Sequence, residues 1–245
     1  VMRFRNKVVI VTGAGTGIGA ATAQLFSREG ASVVLAGRRV EKLEEAAKAL
    51  PTERTLVRKT DVANEADVNG LIDDAVKRFG RLDTLVNNAG VGSVGPLALT
   101  ETARWRDTMA TNVDGVFYAC RAAIPHLLKT KGSIVNVSSV SGVGGDWYMA
   151  IYNASKGAVS NFTRGLALEL APIRVNTVSP GLIDTPLWDK LDETARQAMF
   201  LRVAGNLPAR AIGQPSDVAN AVLFAMTTPF ATGSTIRVDG GGVIA

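Results

Sequence analysis

Short apolar, β-branched runs recur along the chain at residues 8–11, 33–35, 55–57, 85–86, 134–137, 174–178 and 235–238. Apolar positions follow one another in these runs instead of alternating with polar ones, as in strands buried on both faces. Between them lie stretches with helical spacing, at 20–29, 40–50, 65–79, 100–128, 155–170 and 217–226. Parallel neighbours need long crossover connections, and helices of this length supply them while covering the sheet. The alternation predicts an α/β, doubly wound, mainly seven-stranded parallel sheet with helices on both faces. No Pro- or Ser-rich linker interrupts it, so residues 1–245 read as one domain. One stretch breaks the rhythm, at 181–213, between the sixth and seventh strands. There Thr185-Pro186 and Pro208 bracket Leu187, Trp188, Leu191, Met199, Phe200 and Leu201. These fit one or two short amphipathic helices, and the excursion reads as a substrate lid at about 182–208.

Composition narrows the chemistry. With 47% hydrophobic and 20% charged residues the chain can bury a large core, and disorder is excluded. One cysteine, Cys120, and one histidine, His126, exclude a disulfide scaffold and leave almost no soft metal ligands, so no metal is expected. The 27 basic and 22 acidic residues give a net charge of +5. The basic residues are scattered, which argues against a nucleic-acid partner. The uncharged window 218–236 holds too many polar residues to span a bilayer. The start Val1-Met2-Arg3-Phe4-Arg5 has no long apolar stretch, and a cytoplasmic location is the expectation.

The first strand runs into Thr12-Gly13-Ala14-Gly15-Thr16-Gly17-Ile18-Gly19 and then a helical pattern. Strand, glycine turn and helix form an anion site of the Rossmann type: backbone N–H groups and the helix dipole face a pyrophosphate, and absent side chains let it approach. Gly13, Gly15, Thr16, Gly17, Ile18 and Gly19 are therefore candidate dinucleotide ligands. At the end of the second strand an acidic residue would bind the adenosine ribose of NAD, but the sequence there is Gly37-Arg38-Arg39. A guanidinium from Arg38 or Arg39 suits a 2′-phosphate, which favours NADP(H) and leaves NAD(H) possible.

Further marks are Asp61-Val62, Asn87-Asn88-Ala89-Gly90, Asn112, Ser139, Tyr152-x-x-x-Lys156 and Pro180-Gly181 with Thr185. In this order and spacing the chain resembles the short-chain dehydrogenases/reductases, over nearly its whole length, and their compact single-domain branch in particular. The resemblance implies an oxidoreductase moving hydride between a nicotinamide and a ketone or secondary alcohol. Tyr152 would be general acid and base, with Lys156 at i+4 on the same helix face lowering its pKa and binding the nicotinamide ribose. Ser139 would hydrogen-bond the reacting oxygen, with Ser138 and Ser141 as rivals, and Ser138 should point to the opposite side. Asn112 would hold a water that links Lys156 to solvent.

The resemblance also places Asn88, Ala89 and Gly90 beside the adenosine, Asp61 and Val62 at the adenine, and Pro180, Gly181, Ile183 and Thr185 at the nicotinamide carboxamide. Ser141, Trp147, Tyr148, Leu187 and Trp188 are candidate contacts for a small carbonyl or alcohol substrate. Relatives assemble through helices that here span about 100–128 and 152–170, so a homotetramer is expected. A narrower reading is a 3-oxoacyl-carrier-protein reductase, whose acidic carrier would dock on Lys129 and Lys131, although the stretch 168–172 offers no second basic anchor. A reading of another class, a dinucleotide-binding subunit without turnover, predicts a missing Ser, Tyr or Lys, and all three are present.

Overall fold

The computed structural model describes residues 2–245. Seven strands, β1 (Val8–Thr12), β2 (Ser32–Gly37), β3 (Thr55–Lys59), β4 (Thr84–Asn87), β5 (Ser133–Val137), β6 (Arg174–Pro180) and β7 (Thr235–Val238), form one sheet. Its order is β3-β2-β1-β4-β5-β6-β7, and every neighbouring pair is parallel. The predicted doubly wound Rossmann-type sheet is thus observed. Successive side chains along β1 go to opposite faces, and each face builds its own core. Val8 and Ile10 pack with Val34, Leu85 and Ile134 under α3 (Glu65–Phe79), α5 (Gly115–Thr130) and α6 (Ala150–Glu169). Val9 and Val11 pack with Leu35, Val86 and Val178 under α1 (Gly17–Arg28), α2 (Val40–Ala47) and α8 (Pro215–Thr227).

After β3 at one edge the chain crosses to β4, on the far side of β1. Strand order therefore reverses between β1 and β4, which leaves a crevice at their carboxyl ends. A buried polar ladder fixes α6 beside that crevice: Asn87 Nδ2 donates to Asn136 Oδ1 at 2.9 Å, and Asn136 Nδ2 donates to Thr163 Oγ1 at 2.9 Å. In a core this dry each of these groups needs its partner, so the ladder holds α6 in one register over β4 and β5.

The helices differ from the sequence pattern in three places. The single helix expected at 100–128 is interrupted: α4 (Thr102–Met109) passes through one π turn, Ala110–Asp114, into α5. The wider turn buries Asn112, a residue an α-helix interior disfavours. Helix α6 begins at Ala150, five residues before the apolar pattern does, so Tyr152 lies in its first turn. The excursion after β6 contains a short turn, Pro186–Trp188, and one longer helix, α7 (Glu193–Asn206), no residue of which is buried. A parallel bridge between Ile183 and Gly213 ties its two ends together.

Topology also locates the residues expected to dock a carrier. Helix α5 starts at the carboxyl edge of the sheet and runs back, so Lys129 and Lys131 lie where β5 begins, at the amino edge. Sixteen helical residues span about 24 Å, so these lysines are at the far end from Tyr152.

Candidate active site

The crevice holds a cavity of about 530 Å³, within the usual range for small-molecule sites. Its floor is the glycine loop. Gly13 and Gly17 have φ of +65° and +54°, which L side chains rarely adopt. A β-carbon on Gly13 would sit 2.9 Å from Ala89 Cα, and one on Gly19 would sit 2.2 Å from the Gly13 carbonyl oxygen. The loops after β1 and β4 are stitched together at this point. Thr12 Oγ1 accepts the Asn88 and Ala89 N–H groups at 3.0 and 3.1 Å, and Asn88 Nδ2 donates to the Thr12 carbonyl at 2.9 Å. Helix α1 opens toward the cavity with no side-chain cap and no acidic residue in its first turn, so its free N–H groups face an anion unopposed.

Gly15, Thr16 and Ile18 line the same cavity, as do Asp61, Val62, Asn88, Ala89, Gly90, Thr185 and Leu187. Arg38 and Arg39 lie on its rim together with Lys42 and Lys190. A cleft with an open helix N-terminus and a cationic flank fits a nicotinamide dinucleotide. Gly19 packs beneath the loop and does not line the space. Ile183 is directed into the core, and Pro180 and Gly181 are held in the β6–β7 pairing, with Gly181 N donating to the Val238 carbonyl at 2.9 Å.

Ser139, Tyr152 and Lys156 gather at the carboxyl end of β5. Ser139 leaves the strand extended and its Oγ accepts the Ser141 N–H at 3.2 Å. Ser138 points away, its Oγ donating to the Lys156 carbonyl at 2.8 Å, as strand alternation predicts. Lys156 lies one turn after Tyr152, with Nζ 5.7 Å from the phenol ring centre and donating to the Val137 carbonyl at 2.9 Å. Asn112 reaches this cluster from the π turn, its Nδ2 donating to Ser155 Oγ at 3.0 Å.

Burial sets the electrostatics. It disfavours the Lys156 ammonium and lowers its pKa to about 8. It also disfavours the Tyr152 phenolate and raises that pKa; the Ser139 hydroxyl works against the rise and the Asp146 carboxylate adds to it. The free protein therefore holds Tyr152 as a proton donor at neutral pH.

On the loop before α6 Trp147 is 88% exposed and Tyr148 60%, their ring centres 6.4 Å apart. Tyr148 has φ +61° and its carbonyl accepts the Gly95 N–H at 2.7 Å, joining two loops at the mouth. Trp188 is half-buried, its indole N–H donating to the Ile183 carbonyl at 3.0 Å. Sequence reasoning missed three residues here. Lys42 carried a signal, lying one helical turn beyond Arg39; Lys190 and Asp146 sit in irregular segments where spacing says nothing about direction.

The profile of the family described as "Enoyl-(Acyl carrier protein) reductase" matches residues 13–242. The chain is 41% identical to meso-2,3-butanediol dehydrogenase of Serratia marcescens, over 98% of this chain and 96% of that protein. It is also 41% identical to the NADP-dependent (R)-specific alcohol dehydrogenase of Lentilactobacillus kefiri, over 98% of this chain and 97% of that one. The chain belongs to the short-chain dehydrogenase/reductase family. A solved short-chain dehydrogenase/reductase from Caenorhabditis elegans, crystallised with cofactor, superposes with a TM-score of 0.93 at 34% identity, covering 99% of this chain and 97% of that one. Like the members it resembles, this short-chain dehydrogenase/reductase is an oxidoreductase of CH–OH and C=O groups. No helix among the described residues is long and apolar enough to cross a membrane.

Proposed function

We propose that the protein interconverts a ketone and a secondary alcohol with NADP(H), Tyr152 serving as general acid in reduction and general base in oxidation. The observation that carries this reading is the convergence of Tyr152, Ser139 and Lys156 at the carboxyl end of β5, with Lys156 next to Gly90 of the cavity wall. When bound, the cofactor supplies or accepts the hydride. Ser139 hydrogen-bonds the substrate oxygen and steadies the charge that develops on it. Tyr152 gives that oxygen its proton, and Lys156 favours the resulting phenolate. Asn112 holds a water on the path from Lys156 to solvent.

Gly13, Gly15, Thr16, Gly17 and Ile18 cradle the pyrophosphate, with Asp61, Val62, Asn88, Ala89 and Gly90 around the adenosine and Thr185 toward the nicotinamide. Arg38 and Arg39 stand at the end of β2, where residues 37–39 include no carboxylate, and support NADP(H) over NAD(H). Ser141, Trp147, Tyr148, Leu187 and Trp188 form the substrate walls, and 182–208 acts as the lid. A homotetramer is part of the same proposal. It is supported by apolar side chains left exposed on α4 and α5 (Trp105, Phe117, Leu128) and on α6, α8 and the C-terminal region (Leu168, Phe224, Phe230, Ile244). A cytoplasmic location belongs to it as well, on the strength of one unpaired, buried cysteine.

A 3-oxoacyl-carrier-protein reductase of Thermotoga maritima, 37% identical over 99% of this chain and 100% of that protein, supports a second reading of the same kind for this one. The position of Lys129 and Lys131 at the amino edge of the sheet weakens it. Loss of reduced-nicotinamide absorbance with NADPH and with NADH, against ketones, ketoesters and a 3-oxoacyl thioester, tests both readings. Turnover faster with NADPH and abolished in Tyr152→Phe is expected. Turnover that survives in Tyr152→Phe overturns the acid–base role, faster NADH overturns the phosphate assignment, and no turnover returns the subunit without activity.

A further inference from the structure

Three loops leave the carboxyl ends of β4, β5 and β6, which are neighbours in the sheet, so all three open on the edge where Ser139 and Tyr152 lie. Each carries large apolar side chains exposed to solvent: Val94 and Leu97 after β4, Val143, Trp147 and Tyr148 after β5, and Leu187 after β6. Two of the loops touch, the Gly95 N–H donating to the Tyr148 carbonyl at 2.7 Å, and Leu187 also lines the dinucleotide cavity. Apolar side chains brought by separate segments to one edge of a reactive site mark a surface that a ligand covers.

Charge on these loops is sparse. Residues 91–99 carry no charged side chain, and residues 139–149 carry one, Asp146. Ser141 Oγ lies 3.1 Å from Ser139 Oγ, and the Asp146 carboxylate accepts the Ser141 hydroxyl, so a fixed anion stands one serine away from Ser139. The cations nearby are engaged elsewhere. Lys156 is buried with its ammonium on the Val137 carbonyl, Arg104 donates to the Gly92 carbonyl and to Ser93 Oγ, and Lys190 lines the dinucleotide cavity with Arg38 and Arg39. On the lid Asp189 is paired with Arg196, and Asp184 has the same sign as Asp146.

We propose that the substrate is an uncharged ketone or alcohol with an apolar group of aromatic size next to the reacting carbon, and that Asp146 is a specificity-determining residue that turns anionic analogues away. A carboxylate or phosphate laid against these walls loses its water without gaining a counter-ion. It also meets the Asp146 carboxylate within about two hydrogen-bond lengths of Ser139 Oγ, close enough for repulsion to be felt through partial solvent screening. An apolar ring has no such loss, and it covers side chains that otherwise stand in water.

Four ketones separate charge from size: pyruvate, phenylglyoxylate and the ethyl ester of each. They are titrated by calorimetry into the full chain saturated with oxidised nicotinamide dinucleotide, which has no hydride to give a ketone, so dissociation constants report recognition without turnover. The phenyl ester is expected to bind most tightly of the four. In Asp146→Asn, which keeps an acceptor for Ser141 and loses the charge, the acid-to-ester ratio of dissociation constants should fall about fivefold at low ionic strength and much less at high salt. The positive charge of the bound nicotinamide is the same in parent and variant and cancels in that comparison. Asp146→Glu keeps the charge and should keep the parental ratio. In Trp147→Ala the methyl-to-phenyl ratio should fall about tenfold. A phenyl ester that is not the tightest ligand of the parent, or an acid-to-ester ratio unmoved in Asp146→Asn, overturns the proposal. A methyl-to-phenyl ratio unmoved in Trp147→Ala overturns it too, and dissociation of the assembly in light scattering would then assign the two rings to a second copy of the chain. Substrate class rests on the reading of Ser139 and Tyr152 as the reacting pair, but the two fail separately: dissociation constants report recognition whether or not hydride moves, and turnover that survives in Tyr152→Phe overturns the reading alone.

Discussion

Asn112 brackets the backbone of Val91: its Oδ1 accepts the Val91 N–H at 2.8 Å and its Nδ2 donates to the Val91 carbonyl at 3.0 Å. The same Nδ2 reaches Ser155 Oγ, whose proton goes to the Tyr152 carbonyl at 2.8 Å. One buried amide thus ties the loop after β4 to the first turns of α6. Asn112→Ala strips partners from two backbone groups and a hydroxyl, and should cost about 2 kcal/mol in urea unfolding. Turnover should fall about a hundredfold, because the loop and the Tyr152 helix lose their common anchor. Asn112→Asp keeps the acceptor and loses the donors, so it should fall between the two. An Asn112→Ala protein with parental stability and turnover would leave the π turn without a purpose.

Gly19 is the most restrictive of the loop glycines, since its β-carbon would lie 2.2 Å from the Gly13 carbonyl and 2.6 Å from Asn88 Nδ2. Gly19→Ala must therefore push α1 off the β1 and β4 loops. Gly15→Ala meets Lys42 Cβ at 3.1 Å and the backbone of α2 at 3.3 and 3.4 Å, so α2 has to give by only a few tenths of an ångström. NADPH binding followed by fluorescence should weaken about tenfold or more in Gly19→Ala and much less in Gly15→Ala. Equal losses in both would mean that pyrophosphate contact, and not packing, sets the glycine requirement.

The sheet was legible because parallel strands buried on both faces must be almost continuously apolar, and Val8-Val9-Ile10-Val11 is as plain a case as a chain offers. Tyr152 and Lys156 were legible for a similar reason, as i,i+4 residues on one helix share a face whatever the fold. Helical periodicity could not show the π turn, since one extra residue per turn leaves the apolar pattern of 100–128 almost intact while redirecting Asn112. The start of α6 was hidden because its first turn mixes Ala150 and Ile151 with Tyr152 and Asn153 and follows an irregular loop, so no apolar stripe leads into it. Asp146 was invisible because a loop has no period to say where its side chains point. How far Lys129 and Lys131 lie from the site was hidden for a topological reason: the end of α5 is known to be far from it only once the direction of that helix across the sheet is known.

Arg38 is the sharpest test of cofactor choice. It lines the cavity where β2 ends, and neighbouring positions 37 and 39 carry no carboxylate. Arg38→Asp replaces a phosphate-binding guanidinium with a group that repels phosphate and accepts from a ribose diol. The ratio of the NADPH to the NADH dissociation constant should shift toward NADH by about a hundredfold, with kcat on either cofactor changed far less. Raising ionic strength should weaken NADPH binding more than NADH binding in the parent and erase that difference in the variant. An unchanged ratio would move the assignment to Arg39 or Lys42.

Lys156 ties pH to stability as well as to turnover. Its pKa falls from an ordinary value of 10.5 to about 8 because the folded protein buries the ammonium. Between those values the unfolded chain binds the proton and the folded chain does not, so stability rises with pH across that window, and at neutral pH the buried charge is a standing cost. A displacement of this size corresponds to something on the order of 3 kcal/mol, offset in part by the bond from Nζ to the Val137 carbonyl. Tyr152 acts oppositely but only above pH 10, where its raised pKa makes the folded state the better proton binder. Cys120 acts oppositely as well, its buried thiol pushed up from 9.0 to about 12, but only from pH 9 upward, so the range from pH 8 to 9 isolates the lysine. Urea unfolding of the parent without cofactor should show stability rising across it, and Lys156→Met should flatten that rise while matching or exceeding parental stability at pH 7. Turnover should be lost in the same variant, because the methionine cannot favour the phenolate or bind a ribose. A Lys156→Met protein that is less stable at pH 7 and keeps the parental slope would place the ammonium in contact with water and remove the basis for its lowered pKa.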